Sequence, residues 1–122
     1  MILGGGTAGT LAATRLHRVR GDSVDITVVD RDDEHTYQPG LLFVPFGLTD
    51  PATLVRSRAH QLRPGISCRR ADINRVDVDA NRVRLADGTE LDYDVLVVDR
   101  VAHPDVRDEL RTAGRELGFP LH

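Results

Sequence analysis

The chain has 122 residues, the length of one modest domain, and 40% of them are hydrophobic, which is enough to form a core. Its net charge is −3, and its 16 basic residues, all arginines, are interspersed among acids, so we expect no nucleic-acid surface. No apolar run approaches the roughly 18 residues of a membrane helix. We expect no signal peptide and no internal disulfide from the single cysteine, and therefore a cytoplasmic location.

The first quarter of the chain predicts a strand, a glycine turn, a helix and a second strand. Residues 1–3 are apolar, and residues 4–9 carry glycines with the spacing G-x-G-x-x-G. Apolar residues then recur at helical spacing, which predicts a helix over residues 7–18. The run VDITVVD over residues 24–30 is β-branched and becomes continuously apolar, as expected of a parallel strand covered on both faces.

The middle of the chain predicts a long loop, a helix and a further strand. Residues 31–47 lack periodicity, and a loop of this length in a compact domain is a candidate binding segment. Thr49, Asp50 and Pro51 have the chemistry of a helix start, which predicts a helix that runs to about residue 62. Residues 66–73 are predicted to form the next strand.

The remainder of the chain predicts an antiparallel meander, a buried strand and a terminal helix. Apolar residues alternate with polar ones across residues 76–85, and turn residues stand at 80–81 and 87–88. The apolar run YDVLVV over residues 93–98 predicts a buried strand, and residues 104–118 are suited to one helix.

A glycine turn directly before a helix is suited to binding a pyrophosphate, because the first helical turn has unpaired N–H groups and the positive end of the helix dipole. Gly4 would allow the sharp turn, Gly6 the approach of the phosphates, and Gly9 the close packing of helix on strand. Asp30 ends the second strand about 20 residues later, where a carboxylate accepts hydrogen bonds from a ribose and repels a 2′-phosphate. The pattern predicts a dinucleotide site on a Rossmann-like α/β fold with a mainly parallel sheet. The alternative is a purely structural turn.

Five stretches carry a family resemblance: ILGGGTAGTLAA, ITVVDRDD, HTYQPGLLFVPFG, the strand ending in RRADI, and NRVRLADGTELDYDVLVV. In this order and spacing they resemble the N-terminal FAD-binding segment of the pyridine nucleotide-disulfide oxidoreductases, within which the branch of sulfide:quinone oxidoreductases and type II NADH dehydrogenases is most similar. The resemblance implies an incomplete FAD/NAD(P)-binding domain over residues 1–98 and a divergent, helical tail over residues 99–122. The long loop and the meander favour FAD over NAD by analogy of topology, and a NAD-binding module is the alternative.

The resemblance implies FAD-dependent oxidoreduction, in which the flavin carries a hydride or two electrons, typically from sulfide or NAD(P)H to a quinone. It assigns the glycine turn to the FAD pyrophosphate, residues 30–31 to the ribose and adenine, residues 38–42 to the flavin or ribityl chain, and residues 71–72 to the adenine edge. The residues so assigned are Gly4, Gly6, Thr7, Ala8, Gly9, Asp30, Arg31, Gln38, Pro39, Gly40, Leu41, Leu42, Ala71 and Asp72.

Departures from the family pattern predict weak or no catalysis by this chain alone. Asp99, Arg100 and Val101 follow the last strand, where the family has Ala-Thr-Gly in a turn that closes over the FAD. The NAD(P)H-type domain and the quinone-binding part of the family have no counterpart in the sequence. A non-catalytic fragment completed by another chain, or by a second copy in a homodimer, is therefore a further alternative. Full-length relatives would lie at the inner face of a membrane.

The other reactive side chains are predicted to have ordinary structural roles. Cys68 lies in a predicted strand and is expected to be a half-buried thiol without redox function. The five histidines do not cluster at metal-ligand spacing, so no metal is expected. In the long loop, His35 is a minor candidate for a ligand contact, while Tyr37, Phe43 and Phe46 either pack on a flavin or anchor the loop.

Overall fold

The computed structural model describes residues 1–32, 34–36, 45–47, 52, 55–57, 62–99 and 104–116. Its elements are, in chain order, β1 (Ile2–Leu3), α1 (Thr7–Arg20), β2 (Ile26–Asp30), β3 (Glu34–Thr36), β4 (Val55–Ser57), β5 (Ile66–Arg70), β6 (Ile73–Asp77), β7 (Arg82–Leu85), β8 (Glu90–Asp92), β9 (Val97–Val98) and α2 (Pro104–Glu116). A short 3₁₀ turn at Gly21–Ser23 follows α1.

The central sheet is parallel and has the strand order β5-β2-β1-β9. The first strand lies in the interior of this sheet, with Ile2 opposite Val28 on one side and Val97 on the other. From β1 the chain continues through α1 to β2 and then β5 on one side, and it returns to the other side only at β9. The strand order therefore reverses direction at β1, and in such sheets ligands bind at the carboxyl ends of the strands beside that point.

Apolar side chains cover both faces of the parallel sheet. Successive residues of a strand point to opposite faces, so Ile2 and Val28 belong to one cluster and Leu3 and Val29 to the other. The first cluster packs under α1 through Ala13. The second is shared with the meander and α2, and its buried members are Leu3, Val29, Val76, Val83, Leu85 and Val106. The uninterrupted apolar character of the second strand thus follows from burial on both sides.

Strands β6, β7 and β8 form the antiparallel meander, which has one apolar and one charged face. Along β7 the buried Val83 and Leu85 alternate with the exposed Arg82 and Arg84. Both arginines are bonded to Glu90 on β8, and the hydrogen bond from Arg84 is the main reason that the pKa of Glu90 lies below its usual value. The alternation therefore directs one face of the meander to the core and the other to solvent.

The α/β fold predicted from the sequence, a parallel sheet with helices and a small antiparallel meander, is confirmed. The helix predicted to end near residue 62 is wrong where the structure describes it, because Val55–Ser57 is a strand that pairs with Glu34–Thr36. The same pairing places a strand inside the predicted loop. Proline chemistry near residue 51 is a local signal, whereas the pairing of Val55 with Thr36 is non-local.

The tail contains a helix, α2, that packs against β6. Val106 is fully buried in the second apolar cluster, and Glu109 accepts a hydrogen bond from Arg75 at 3.2 Å. The division of the chain into residues 1–98 and a separate tail stays a prediction.

Substitution of Val106→Ala should lower the free energy of unfolding by about 1.5–3 kcal/mol, because it removes two buried methyl groups and leaves a cavity. The matched control is Val19→Ala on α1, where the side chain is 79% exposed. Both changes raise helix propensity equally, so the control should stay within about 0.5 kcal/mol of the unsubstituted chain. Urea denaturation measures both, and equal effects would show that α2 does not contribute to the folded core.

Candidate functional site

The glycine turn connects β1 to α1 at the carboxyl end of the parallel sheet. The amide of Gly4 donates to the carbonyl of Val29 at 2.8 Å, which extends the pairing of β1 with β2 by one residue. Gly4 has a φ of 93°, a left-handed conformation that favours glycine because it lacks a Cβ. The helix then begins with a bond from the amide of Thr10 to the carbonyl of Gly6 at 2.9 Å.

Gly9 allows the helix to approach the preceding turn closely. A Cβ at this position would lie 2.0 Å from the carbonyl oxygen of Gly4, which is far inside any allowed contact. A side-chain hydrogen bond also connects the helix to the turn, because the hydroxyl of Thr10 donates to the carbonyl of Gly5 at 3.1 Å. The glycine at position 9 is thus required by packing within the turn itself.

The first turn of α1 contains main-chain N–H groups but no acidic residue that could bond to them from within the turn. No acidic residue lies in this turn, and Gly6, the N-cap residue, has no side chain with which to cap the helix. In contrast, His17, Arg18 and Arg20 occupy the last turn, where positive charge suits the helix dipole. The N-terminal end of α1 therefore attracts an anion supplied from elsewhere.

Asp30 supplies a carboxylate on one side of the turn. It is the last residue of β2, and its Oδ2 accepts the amide of Gly5 at 2.5 Å while its Oδ1 accepts the amide of Asp32 at 2.9 Å. The two bonds fix the orientation of the carboxylate beside the glycine turn. This is the position at which the sequence predicts a ribose-binding acid.

Asp99 supplies a second carboxylate on the other side. It directly follows β9, and its own amide donates to the carbonyl of Leu3 at 2.8 Å. Its Oδ2 accepts the amide of Gly9 at 3.0 Å and lies 2.7 Å from the place that a Cβ on Gly6 would take. An aspartate at the end of β2 and one directly after β9 are thus both bonded to the glycine turn.

The remaining predicted site residues fall into three groups. Thr7 and Ala8 lie in the exposed first turn of α1, next to the glycines. Ala71 and Arg31 lie beside the end of β2. The amide of Ala71 donates to the carbonyl of Asp30 at 2.9 Å. Arg31 is exposed, and its Nε lies 3.7 Å from a carboxylate oxygen of Asp32. Asp72 follows Ala71 and is exposed. The last group lies outside the described residues and consists of Gln38, Pro39, Gly40, Leu41 and Leu42.

Sequence reasoning named Asp99 only as a departure from the family pattern and did not place it in the site. The available signal was its position directly after a buried strand, since carboxyl ends of neighbouring parallel strands meet at one edge. The expectation for Cys68 was wrong in its burial, because this residue is exposed on β5. Phe46 is also exposed, while Tyr37 and Phe43 lie outside the described residues.

The described residues show neither a metal-binding cluster nor a membrane-spanning helix. They contain no group of three or more histidine, cysteine, aspartate or glutamate residues arranged to hold a metal ion. In the same part of the chain, neither helix has the length and apolar character needed to cross a membrane.

Comparison with known proteins links this geometry to redox enzymes. A family model described as tryptophan halogenase matches residues 1–46, which contain the glycine turn and β2. Sulfide:quinone oxidoreductase from mouse mitochondria is 29% identical over 98 residues, which are 80% of this chain and 22% of that protein. The resemblance to the sulfide:quinone oxidoreductases is confirmed. The chain spans about a fifth of the length of this relative.

Solved structures give the same picture at the level of the fold. The sulfide:quinone oxidoreductase of Aquifex aeolicus superposes with a TM-score of 0.68 at 18% identity, covering 95% of this chain and 31% of that one. A NAD-dependent persulfide reductase from A. fulgidus has a TM-score of 0.66 at 26% identity, covering 80% of this chain and 20% of the other. Both of these structures are of oxidoreductases whose chains are longer than this one.

Substitution of Gly9→Ala should destabilise the chain, although helix propensity alone would favour alanine by about 1 kcal/mol. The new Cβ would overlap the carbonyl oxygen of Gly4, so we expect a net loss of about 1–3 kcal/mol in the free energy of unfolding. The exposed Leu11 on the same helix provides the control, since Leu11→Ala should change stability by less than about 0.5 kcal/mol. A stabilised Gly9→Ala chain in urea denaturation would contradict the close approach.

Proposed function

We propose that this chain is the dinucleotide-binding part of a FAD-dependent oxidoreductase of the sulfide:quinone or NADH:quinone oxidoreductase type. One observation carries the proposal: a glycine turn stands at the carboxyl end of the interior strand β1, and Asp30 closes the neighbouring strand and bonds to that turn. The confirmed resemblance to sulfide:quinone oxidoreductases supports the same assignment.

The residues would divide the cofactor between them according to their chemistry. Main-chain N–H groups at the start of α1 suit the negative charge of a pyrophosphate. Asp30, whose carboxylate is held beside the turn by bonds from Gly5 and Asp32, has the acceptor chemistry that suits the hydroxyls of a ribose. A bound flavin would supply two-electron chemistry, which the protein would position.

The geometry fits the cofactor on one side of the turn and not on the other. Asp30 is oriented at the edge of the crevice, as a ribose would require. On the opposite side, the amide of Gly9 is already bonded to the carboxylate of Asp99, and the space beside Gly6 is filled by the same oxygen. A pyrophosphate cannot take these two positions while Asp99 holds them.

We further propose that the electron donor, the acceptor and the catalytic groups belong to protein beyond the chain described. The sequence covers 22% of its mouse relative, and oxidoreduction requires a cofactor site shielded from water. Val98 in β9 is 42% exposed, and Val95, which precedes this strand, is 68% exposed. Among the described residues, β9 is an end strand of the parallel sheet. We assign this apolar edge to the part of a longer protein that corresponds to the uncovered length of the mouse relative.

A NAD-binding module is the second candidate function. Asp30 suits the ribose of NAD as well as that of FAD, and the persulfide reductase that resembles this chain is named as NAD-dependent. In this alternative the chain binds NAD and not FAD, and the acidic Asp30 disfavours a 2′-phosphate in either case.

Dinucleotide binding is tested by incubating the 122-residue chain with excess FAD and measuring the flavin absorbance that co-elutes with it in gel filtration. Asp30→Ala should lower FAD affinity by about tenfold or more, since it removes the proposed ribose acceptor. Asp25→Ala is the matched control, because Asp25 is exposed at the opposite, amino end of the same strand. It should leave binding unchanged.

The outcomes separate the candidates. Flavin lost with Asp30→Ala and retained with Asp25→Ala supports the FAD site. A thermal shift with NAD but none with FAD favours the NAD-binding module. Equal loss of flavin in both variants would mean that binding depends on charge in general and would overturn the assignment to Asp30.

A further inference from the structure

We propose that Asp99 is an internal anion at the phosphate position of the glycine turn and opposes dinucleotide binding until its side chain leaves. The inference rests on the proposed function, since it concerns the same crevice. It adds a residue that sets the affinity and ligand preference of the site through competition.

The contacts of one oxygen atom place the carboxylate over the start of α1. Asp99 Oδ2 accepts the amide of Gly9 at 3.0 Å. The same oxygen lies 2.7 Å from an ideal Cβ on Gly6 and 3.3 Å from one on Gly9. The room beside Gly6 is therefore filled by the carboxylate of Asp99, which also lies within contact distance of Gly9.

The backbone of Asp99 is held by the sheet, so the contact does not depend on a loop. Val98 pairs with Leu3 in the parallel ladder, and the next bond runs from the amide of Asp99 to the carbonyl of Leu3 at 2.8 Å. With the main chain fixed in this way, rotation about the side-chain bonds is the simplest movement that withdraws the carboxylate. The device is thus a side chain that can turn away from a strand that stays in place.

Two physical effects oppose a phosphate while the carboxylate is present. The first is competition, because the amide of Gly9 has one proton and a charge-assisted bond to a carboxylate is stronger than a neutral one. The second is repulsion, because the carboxylate and a pyrophosphate carry like charges in the same crevice. Both effects lower the affinity for ligands that contain phosphates, and neither acts on a nucleoside, which contains none.

A purely structural role makes the opposite prediction. If Asp99 only stabilised the end of α1 against the helix dipole, its removal would loosen the turn and weaken every ligand of the crevice. A competitor behaves differently, because its removal strengthens the binding of phosphate ligands even where it costs stability. The sign of the change in affinity distinguishes the two roles.

The experiment compares the unsubstituted chain with Asp99→Asn and Asp99→Gly. Asparagine keeps the shape and an acceptor oxygen and removes the charge, whereas glycine removes both. We expect FAD and ADP to bind about tenfold more tightly to Asp99→Asn, and more tightly still to Asp99→Gly, which corresponds to the net worth of a bond to a charged group. Adenosine, which has no phosphate, should bind all three chains equally in isothermal titration calorimetry.

A second readout needs no ligand. The amide proton of Gly9 should resonate downfield in the unsubstituted chain because it is bonded to a carboxylate, and it should move upfield in Asp99→Gly. Thermal denaturation of each chain shows which variants are folded, and the isosteric Asp99→Asn keeps the test available if glycine unfolds the turn.

The outcomes distinguish this inference from the proposed function. Equal FAD affinity in all three chains, or weaker binding in the variants, overturns the role of Asp99 and leaves the dinucleotide site standing. An unchanged Gly9 resonance in the folded Asp99→Gly chain overturns the contact itself. If no folded chain binds either FAD or NAD, the dinucleotide site is refuted and the competition falls with it.

Discussion

The main-chain N–H groups at the start of α1 determine the rest of this site. Gly6, the N-cap residue, has no side chain that could accept hydrogen bonds from them, and Gly9 lets the helix approach the carbonyl oxygen of Gly4 closely. Buried donors require acceptors, and the positive end of a helix favours anionic ones. The chain meets this requirement with two aspartates that come from the strands on either side of β1.

Most of the fold was predictable because its signals are local. The helix after the glycine turn, the doubly covered second strand and the alternating strands of the meander each follow from a period of 3.6 or 2 within a few residues. The pairing of Glu34–Thr36 with Val55–Ser57 was not predictable in this way, because its partners are separated by a segment without periodicity. A helix-start motif at Pro51 then gave the wrong local reading.

The candidate site was predictable in one half and not in the other. The glycine spacing and an acid at the end of the second strand belong to one βα unit, so their meeting follows from the geometry of that unit. Asp99 is 90 residues away from Gly9 in the sequence, and their contact depends on β9 pairing beside β1. The sequence could mark position 99 as unusual, since an acid stood where a small residue was expected, but only the strand order places it against the turn.

The two aspartates show that the role of a carboxylate at this turn depends on the side from which it approaches the helix, and not on the residue type alone. Asp30 approaches from the side, at Gly5, where a carboxylate can hold the turn and still accept hydroxyl groups. Asp99 approaches at the amide of Gly9 and beside Gly6, the position that we propose for a phosphate. In our proposal, one negative charge therefore contributes to the dinucleotide site and the other competes with the phosphate. The glycine motif and Asp30 predict where a dinucleotide would bind. In our proposal, Asp99, the residue after β9, determines whether the phosphate position is open.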